Sequence, residues 1–299
     1  MRIFLTGGAG YVGAAVLDAL MRGGHRVDAL VRNSERAAQV QARGAHPVLG
    51  DLSQPASYAD AAAAADGIVH TAAEHSARGP KLDATAIDTL LSQSGTRPRF
   101  MIYTSGIWVL GNQPSPADET ASLSPAPGVS WRPAHEEKVL NAATSGLRTA
   151  VIRPGIVYGG SRGIVSDLFK DAANGLVRVV GTGDNHWPLI YDRDLGELYL
   201  RVANNAAASG LFHANDEGDE CVNDLVAAIA DQVAVQPSVR RVPLAEARQK
   251  MGPLADSLAL DQIVRSPRAR QIGWNPSLHS VGGNVARLFE EWRRGKDAA

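Results

Sequence analysis

The chain has 299 residues, which at about 150 residues per domain predicts roughly two domains and allows a substantial core. Lys and Arg number 30 against 31 Asp and Glu, for a formal net charge of −1, so we expect neither a nucleic acid nor a membrane surface as partner. The only cysteine, Cys221, excludes an intrachain disulfide and a cysteine-based zinc site. We therefore expect a reduced, cytoplasmic protein.

The first 155 residues alternate short β-like runs with helical stretches, a pattern typical of a parallel sheet with crossover helices. Strands are predicted at residues 2–5, 26–31, 45–49, 67–71, 100–105 and 149–153. Helices are predicted at 11–22, 34–43 and 57–65. This order predicts an α/β fold, a doubly wound parallel sheet of the Rossmann type, with its binding crevice at the carboxyl ends of the strands.

The pattern changes in the second half of the chain. Residues 112–130 are rich in Pro and Ser and are predicted as a long loop over the crevice. Further on, helices are predicted at 164–174, 192–204, 222–233, 244–251, 266–272 and 280–293, with short strands at 210–213 and 240–242. We therefore predict a first domain at residues 1–160, with a return near 180–205, and a smaller, mostly helical C-terminal substrate lobe at 161–299.

A glycine-rich turn follows the first predicted strand. Residues 6–13 read Thr-Gly-Gly-Ala-Gly-Tyr-Val-Gly, which is the spacing of a dinucleotide-binding turn. The first glycine allows a tight turn, the second lets backbone N–H groups approach a pyrophosphate, and the third lets helix and strand pack closely. The cofactor contacts predicted in this turn are Gly7, Gly10, Tyr11, Val12 and Gly13. Residues 1–160 are thus predicted to be a dinucleotide-binding domain.

The end of the second strand indicates which cofactor binds. A free ribose 2′-hydroxyl is usually met there by an acid, whereas a 2′-phosphate is met by Arg. The acid is absent, because Asp28 lies inside the strand, and Arg32 follows with Arg36 one turn into the next helix. NADP(H) is therefore favoured over NAD(H), the alternative being that both arginines are solvated surface residues. Asp51, after the third strand, either accepts from the adenine amino group or caps the next helix.

Several segments together resemble the extended or atypical short-chain dehydrogenase/reductases of the NAD-dependent epimerase/dehydratase family. They are the glycine turn, Gly50-Asp51-Leu52, His70-Thr71-Ala72-Ala73, residues 103–111, residues 152–159 and residues 187–195. The resemblance runs from residue 1 to about residue 290. It implies cofactor contacts at Asp51, Leu52, Thr71, Ala72, Ala73, Pro154 and Gly155, and it does not name a substrate.

The chain departs from that family at its catalytic pair. Family oxidoreductases and epimerases carry Tyr-x-x-x-Lys on the helix after the fifth strand, and the tyrosine moves the proton. No Tyr-x-x-x-Lys occurs in this chain. In the corresponding helix, residues 131–140, one register offers Trp131 with His135. The other offers Ala134 with Lys138, and neither supplies an acidic hydroxyl.

The candidates for the missing proton carrier near the crevice are Ser105, His135 and Tyr158, with His186 from the second lobe as a further one. By spacing, the family's catalytic serine falls on Gly106, which leaves Ser105 beside it. An imidazole titrates near neutral pH without help from a lysine, which favours His135, although a solvated helix surface is an equal reading. Tyr158 follows a strand end in Val-Tyr-Gly, where a packed aromatic ring is the alternative.

The substrate side is predicted to include Glu74, Trp108, His186 and Trp187. For Glu74 the alternative is a solvated loop, and His186 with Trp187 also read as a hairpin tip. Asp192 and Asp194 are interpreted first as helix caps. Because no third ligand accompanies them, no metal site is predicted.

Three functions remain open at this point. The first is an NADP(H)-dependent oxidoreductase that acts on a carbonyl or hydroxyl group of a small molecule with a non-standard proton donor. The second is a nucleotide-sugar epimerase or dehydratase, which needs a diphosphate site in the second lobe. The third is a catalytically silent protein that senses NADP(H). The expected partner is a small-molecule substrate, and the sequence leaves open its identity, the direction of reaction and a homodimer.

Overall fold

The computed structural model describes residues 1–92 and 99–297. The strands are β1 (Arg2–Thr6), β2 (Arg26–Val31), β3 (His46–Leu49), β4 (Gly67–His70), β5 (Arg99–Thr104), β6 (Gln113–Ala117), β7 (Leu147–Pro154), β8 (Ile156–Tyr158), β9 (Leu176–Val180), β10 (His186–Trp187), β11 (Leu189–Tyr191), β12 (Gly210–Ala214), β13 (Glu220–Cys221), β14 (Ser238–Val242) and β15 (Gln262–Val264). The helices are α1 (Tyr11–Arg22), α2 (Ser34–Ala42), α3 (Ala59–Ala63), α4 (Gly79–Ser92), α5 (Arg132–Asn141), α6 (Ile164–Ala173), α7 (Asp192–Asn204), α8 (Val222–Ala230), α9 (Leu244–Met251), α10 (Leu254–Leu258), α11 (Pro267–Gln271) and α12 (Val285–Asp297). No helix within these residues is long and apolar enough to cross a bilayer.

The main sheet has seven strands in the spatial order β12-β7-β5-β4-β1-β2-β3. All neighbouring strands in it run parallel, so each connection returns over a face of the sheet. The strand order reverses between β1 and β4, which is where open α/β sheets bind their ligands. The predicted doubly wound parallel sheet of the Rossmann type is confirmed, and it includes all the strands predicted in the first 155 residues.

Apolar side chains cover both faces of this sheet. In β1, Ile3 and Leu5 belong to one buried cluster and Phe4 to another, because successive side chains of a strand point to opposite faces. The first cluster includes residues of α1 and α7, and the second includes residues of α3, α4 and α5. Burial on both faces explains why the strands read as nearly continuous apolar runs.

Two elements of the sheet domain differ from the prediction. Helix α4, between β4 and β5, was not predicted, because the polar stretch before it and Gly79-Pro80 at its start interrupt the apolar pattern. Strand β12, placed by the sequence in the second lobe, pairs with β7 in the main sheet. Helix α7 packs on α1, and Trp274 is buried in the same core. The sheet domain therefore draws on the chain beyond the return predicted near 180–205.

The second lobe has a core of its own and is mostly helical, as predicted. Side chains of α6, α8 and α12 pack there with those of β8 to β11. The prediction for residues 112–130 was wrong in part, because this segment contains β6, which pairs with β15. Two prolines at 114 and 116 hid this strand, since proline is tolerated only where a strand lies at an edge or bulge. The predicted loop is thus fastened to the second lobe.

Candidate active site at the carboxyl ends of the strands

The glycine turn after β1 has a shape that excludes side chains. Gly7 has φ +78°, and a Cβ built on it would lie 2.6 Å from the Ala72 nitrogen. A Cβ on Gly13 would overlap the Gly7 carbonyl oxygen, so α1 packs directly on the turn. Gly10 precedes α1 without a side chain to cap it, which leaves the first N–H groups of the helix open to a phosphate. These features fit the pyrophosphate of a dinucleotide.

The end of β4 lies over this turn. The Thr71 hydroxyl donates to the Thr6 carbonyl oxygen at 2.7 Å, and the Ala72 N–H donates to the Thr6 hydroxyl oxygen at 3.3 Å. The Tyr11 hydroxyl donates to the Gly159 carbonyl oxygen at 2.8 Å, and burial raises its pKa, so it stays protonated. The structure thus brings together the predicted contacts Gly7, Gly10, Gly13, Thr71 and Ala72. Tyr11 and Val12 begin α1 directly after the turn, and Ala73 follows Ala72 in the chain.

Charged side chains surround the ends of β2 and β3. Arg36 is half-buried and donates to the Ala9 carbonyl oxygen of the turn at 3.3 Å. Arg32 is exposed, and across residues 1–92 and 99–297 its guanidinium has no hydrogen-bond or ion-pair partner. The Asp51 carboxylate accepts from the Ser53 N–H and hydroxyl at 2.8 and 2.6 Å, and these bonds, with the Arg32 charge nearby, lower the pKa of Asp51.

Glu74 lies beside this charged group and not with the predicted substrate residues of the second lobe. It forms an exposed ion pair with Arg78 at 2.6 Å. Hydrogen bonds from Arg78 and Ser76 lower the pKa of Glu74 to about 2, and the Arg32 charge acts in the same direction. Leu52 packs against the second apolar cluster of the sheet.

An unpartnered hydroxyl lies at the end of β5. Ser105 is 6% exposed, and its Oγ has no hydrogen-bond partner within the described residues. A Cβ built on the next residue, Gly106, would meet no atom within 4 Å, so open space adjoins this point. Because buried hydroxyls are normally hydrogen-bonded, this one fits an oxygen of a bound cofactor or substrate.

Arg132 joins the start of α5 to the end of β5. Its Nη1 donates to the Thr104 carbonyl oxygen at 3.0 Å and to the Tyr103 hydroxyl at 3.4 Å. The guanidinium lies over the Trp131 ring, 4.5 Å from the centroid, and that ring meets the His135 ring edge-on at 4.8 Å. The register that offers Trp131 with His135 is therefore the one that faces the end of β5.

A buried carboxylate lies behind His135. Oδ2 of Asp83, in α4, is 2.6 Å from Nδ1 of His135 and accepts from the Tyr103 hydroxyl at 2.8 Å. Its Oδ1 is 3.2 Å from Nε2 of His70. Burial raises the pKa of Asp83, but the hydrogen bonds from these three partners outweigh it, so the pKa lies well below its ordinary value. Nε2 of His135 has no hydrogen-bond partner in the described part of the chain.

His70 extends this network to the glycine turn. Its Nδ1 lies 2.6 Å from the hydroxyl oxygen of Thr6, the residue before Gly7. One assignment satisfies every atom: Thr6 donates to Nδ1 of His70, and Nε2–H of His70 donates to Asp83. A continuous hydrogen-bonded chain then runs from the cofactor turn to His135.

Sequence reasoning missed Asp83, His70, Tyr103 and Arg132. One signal was present for Asp83, because it shares the buried stripe of α4 with Ala86, Ile87 and Leu90 at helical spacing. An acid on such a stripe indicates a buried partner. The partner is 52 positions away in sequence, and no local pattern points to it.

Tyr158 and Trp187 lie inside the second lobe. Tyr158 is fully buried, and its hydroxyl donates to Oδ2 of Asp216 at 3.0 Å. Burial and the Asp216 charge raise the pKa of Tyr158, so its hydroxyl stays protonated and bonded inside the second lobe. The Trp187 indole N–H donates to the Leu258 carbonyl oxygen at 3.0 Å, and the ring packs in the core.

The remaining predicted residues are partly buried or packed in turns. The N–H and Nδ1 of His186 lie 2.8 and 2.9 Å from Oδ1 of Asp261. Trp108 packs between the second-lobe core and the β6–β15 pair. Pro154 ends β7, and a Cβ on Gly155 would overlap the chain just before β11.

Several arginines of the second lobe have polar partners within the lobe. Four arginines that the lobe offers to a diphosphate each have a polar partner: Arg240 with Glu246 (2.8 Å), Arg241 with Asn223 (2.8 Å), Arg248 with Asp256 (2.6 Å) and Arg265 with Asp219 (2.6 Å). Asp194 accepts from the N–H groups of Ser277 and Leu278. Within the described residues, no three His, Cys, Asp or Glu side chains are grouped to hold a metal ion.

Comparisons with known proteins agree with this geometry. A model of the NAD-dependent epimerase/dehydratase family matches residues 3–213. An uncharacterised protein of Schizosaccharomyces pombe is 30% identical over 289 residues, 94% of this chain and 96% of that protein. A 4-hydroxy-2-methyl-3-oxo-4-farnesyl-3,4-dihydroquinoline-1-oxide ketoreductase of Stigmatella aurantiaca is 28% identical over 306 residues, 98% of this chain and 90% of that protein. The Thermus thermophilus UDP-glucose 4-epimerase complex with NAD has a TM-score of 0.81 at 18% identity, covering 98% of this chain and 99% of that one.

Proposed function

Because the chain belongs to the NAD-dependent epimerase/dehydratase family, we propose that it is an NADP(H)-dependent oxidoreductase acting on a carbonyl or hydroxyl group of a small molecule. Its relatives are oxidoreductases and epimerases, and the S. aurantiaca relative is a ketoreductase. The observation that carries the choice of an oxidoreductase is the His135 ring, held by Asp83 next to the end of β5, where the Ser105 hydroxyl has no partner among the described residues.

The cofactor would be held by the glycine turn, the end of β4 and the arginines after β2. When bound, its nicotinamide supplies or accepts the hydride. Arg32 supports NADP(H), because its fork of donors suits a 2′-phosphate and has no other partner among the described residues. The two carboxylates near it are already engaged, Asp51 with Ser53 and Glu74 with Arg78, so Arg32 remains free.

His135 would move the proton. The Asp83 carboxylate accepts a hydrogen bond from Nδ1–H of His135, which fixes the ring, and in the imidazolium form the Nε2–H is the proton to give. In the reducing direction this proton goes to the carbonyl oxygen as the hydride reaches the carbonyl carbon, and solvent returns the proton to Nε2. The Ser105 hydroxyl would donate to the same oxygen and orient it.

The paired arginines of the second lobe disfavour a nucleotide-sugar epimerase. Such a substrate brings a diphosphate, which needs basic side chains free to bind it. Four arginines of the lobe, at positions 240, 241, 248 and 265, are already bonded within it, three of them to carboxylates. A small carbonyl compound places no such demand on this part of the molecule.

An assay of NADPH oxidation with a panel of ketones, aldehydes and oxo acids tests the proposal. We expect the native chain to reduce members of the panel and His135→Ala to lower kcat by about 100-fold or more, because the positioned acid is lost. Glu137→Ala, an exposed neighbour on the same helix, is the matched control and should turn over normally.

Two results would contradict the proposal. Equal turnover by His135→Ala and the native chain would remove His135 from the mechanism. If the protein binds NADPH tightly but neither reduces any carbonyl compound nor oxidises any alcohol in the reverse assay, the catalytically silent sensor would be favoured instead.

A further inference from the structure

Arg132 is a half-buried cation without a carboxylate partner in residues 1–92 and 99–297. Its Nη1 is bonded to Thr104 and Tyr103, while its Nε and Nη2 have no acceptor within that part of the chain. Arg153, on neighbouring β7, is paired with Glu136 at 2.5 Å. A guanidinium withdrawn from water without an anion is unfavourable, so the free donors of Arg132 point to a bound anion.

The position of Arg132 places that anion in the proposed active site. Arg132 and His135 are three residues apart on α5 and so share a helix face. The Tyr103 hydroxyl contacts both Arg132 and Asp83, the carboxylate that holds His135. Arg132 also binds the carbonyl oxygen of the residue before Ser105. The free guanidinium donors therefore lie beside the two groups that would handle the carbonyl.

The ring of Trp131 lies under this guanidinium, with its centroid 4.5 Å from the central carbon. A cation stacked on an indole keeps its edge free, and that edge matches the two oxygens of a carboxylate. Four arginines of the second lobe, at positions 240, 241, 248 and 265, are already bonded to other side chains, which disfavours a diphosphate there. The site thus fits a single carboxylate.

We propose that Arg132 binds the carboxylate of the substrate, and that the substrates are short oxo acids and the corresponding hydroxy acids. The inference rests on the proposed oxidoreductase function. In reduction, hydride is added to the carbonyl carbon, Nε2 of His135 gives the proton to the oxygen, and the carboxylate stays ionised on Arg132. The products are a hydroxy acid and the oxidised cofactor.

The test compares 3-oxo acids of four to ten carbons with their methyl esters. Esterification removes the charge and leaves the carbonyl, so the native chain should favour the acid by about 10- to 100-fold in kcat/KM. In Arg132→Gln this ratio should approach one, and Arg132→Lys should retain part of it. Calorimetric titration of 3-hydroxybutanoate into the NADP⁺-saturated protein supplies a second readout, with affinity at least 10-fold weaker in Arg132→Gln.

The possible results distinguish failure of the carboxylate site from failure of the proposed oxidoreductase function. Equal rates of the native chain on acid and ester would overturn the carboxylate site, and so would an Arg132→Gln variant in which only the KM for NADPH changes. Either result would leave the proposed oxidoreductase function standing. Failure to reduce any carbonyl compound, together with equal 3-hydroxybutanoate binding by both proteins, would overturn both. If Arg132→Gln unfolds at a lower temperature than the native protein, the same comparisons are made with Arg132→Lys. Lysine keeps the positive charge but lacks the forked pair of guanidinium donors.

Discussion

Arg32 is the residue on which the proposed preference for NADP(H) depends. It is exposed at the end of β2, and its guanidinium has no bond to any residue that the structure describes. The position where an acid would meet a ribose 2′-hydroxyl is occupied instead by this cation, because Asp28 is buried within the strand and pairs with Arg2 at 2.5 Å. The acid that sequence spacing offers is therefore already engaged elsewhere.

Arg32→Ser is expected to weaken NADPH binding by about 10- to 100-fold and to leave NADH binding nearly unchanged, because only NADPH carries the 2′-phosphate. Fluorescence titration of both cofactors measures the two constants. Arg178→Ser, an exposed arginine of the second lobe paired with Asp171, is the control. Tighter binding of NADH than of NADPH by the native chain would overturn the assignment.

At the scale of elements, one buried ion pair joins α5 to β7. Arg153 donates to Glu136 through Nε at 3.0 and 3.1 Å and through Nη2 at 2.5 Å, and the two side chains are 4% and 3% exposed. Glu136 follows His135 directly, so the pair fixes the helix that carries the proposed acid. A buried pair of this kind is weak evidence of net stabilisation, but removing one partner leaves a charge without compensation.

Glu136→Gln is expected to lower the free energy of unfolding by about 3–5 kcal/mol, because Arg153 would remain charged and buried. Urea denaturation followed by circular dichroism gives the value. Glu137→Gln, exposed on the same helix, should change it by no more than about 0.5 kcal/mol. A cost below about 1 kcal/mol for Glu136→Gln would show that water reaches the guanidinium.

The elements that sequence analysis identified are those whose signal is local. The glycine turn, the strand before it and α1 lie within residues 2–22, and a short window contains all of their pattern. The pairing of β6 with β15 and the bond between Asp83 and His135 join segments far apart in sequence. Nothing in either segment specifies its partner, so the cofactor turn was predictable and the support of the proposed acid was not.

The fully buried Tyr158 shows that sequence analysis can also propose a site residue that the structure places in a core. Its place after a strand end resembled a ligand position, but the polar group that satisfies its hydroxyl is Asp216, 58 residues later. A hydroxyl with a buried partner is a packing feature, whereas the Ser105 hydroxyl, without one among the described residues, is available to a ligand.

At the scale of the whole molecule, buried titratable groups make stability depend on pH. Burial raises the pKa of Asp216 to about 7, although the Gly218 N–H and the Tyr158 hydroxyl donate to it. The unfolded chain releases this proton near pH 4, whereas the folded chain keeps it to about pH 7. Unfolding therefore releases a proton in this window, and the Asp216 contribution to stability falls as pH rises from 4 to 7. Burial lowers the pKa of His213 to about 3, which acts in the opposite sense below pH 6.5.

Asp216→Asn removes one of these opposing contributions, so the difference between variant and native protein isolates it. We expect the variant to gain stability relative to the native protein between pH 5 and pH 8, by on the order of 2–3 kcal/mol. Urea unfolding of both proteins at the two pH values gives the four free energies required. A difference that stays constant with pH would mean that Asp216 ionises normally in the folded chain.

Helix α7, strand β12 and Trp274 belong to the sheet domain but are synthesised after most of its strands, which has a consequence for the nascent chain. At roughly 5–20 residues per second, a ribosome needs on the order of ten seconds to pass from residue 160 to residue 274. Until residue 274 is made the core of the sheet domain lacks Trp274, and until residues 204 and 214 it also lacks α7, which covers α1, and β12, which closes the β7 edge. An open edge beside bare apolar surface invites aggregation, so the half-made chain is the form of this molecule with most need of a chaperone.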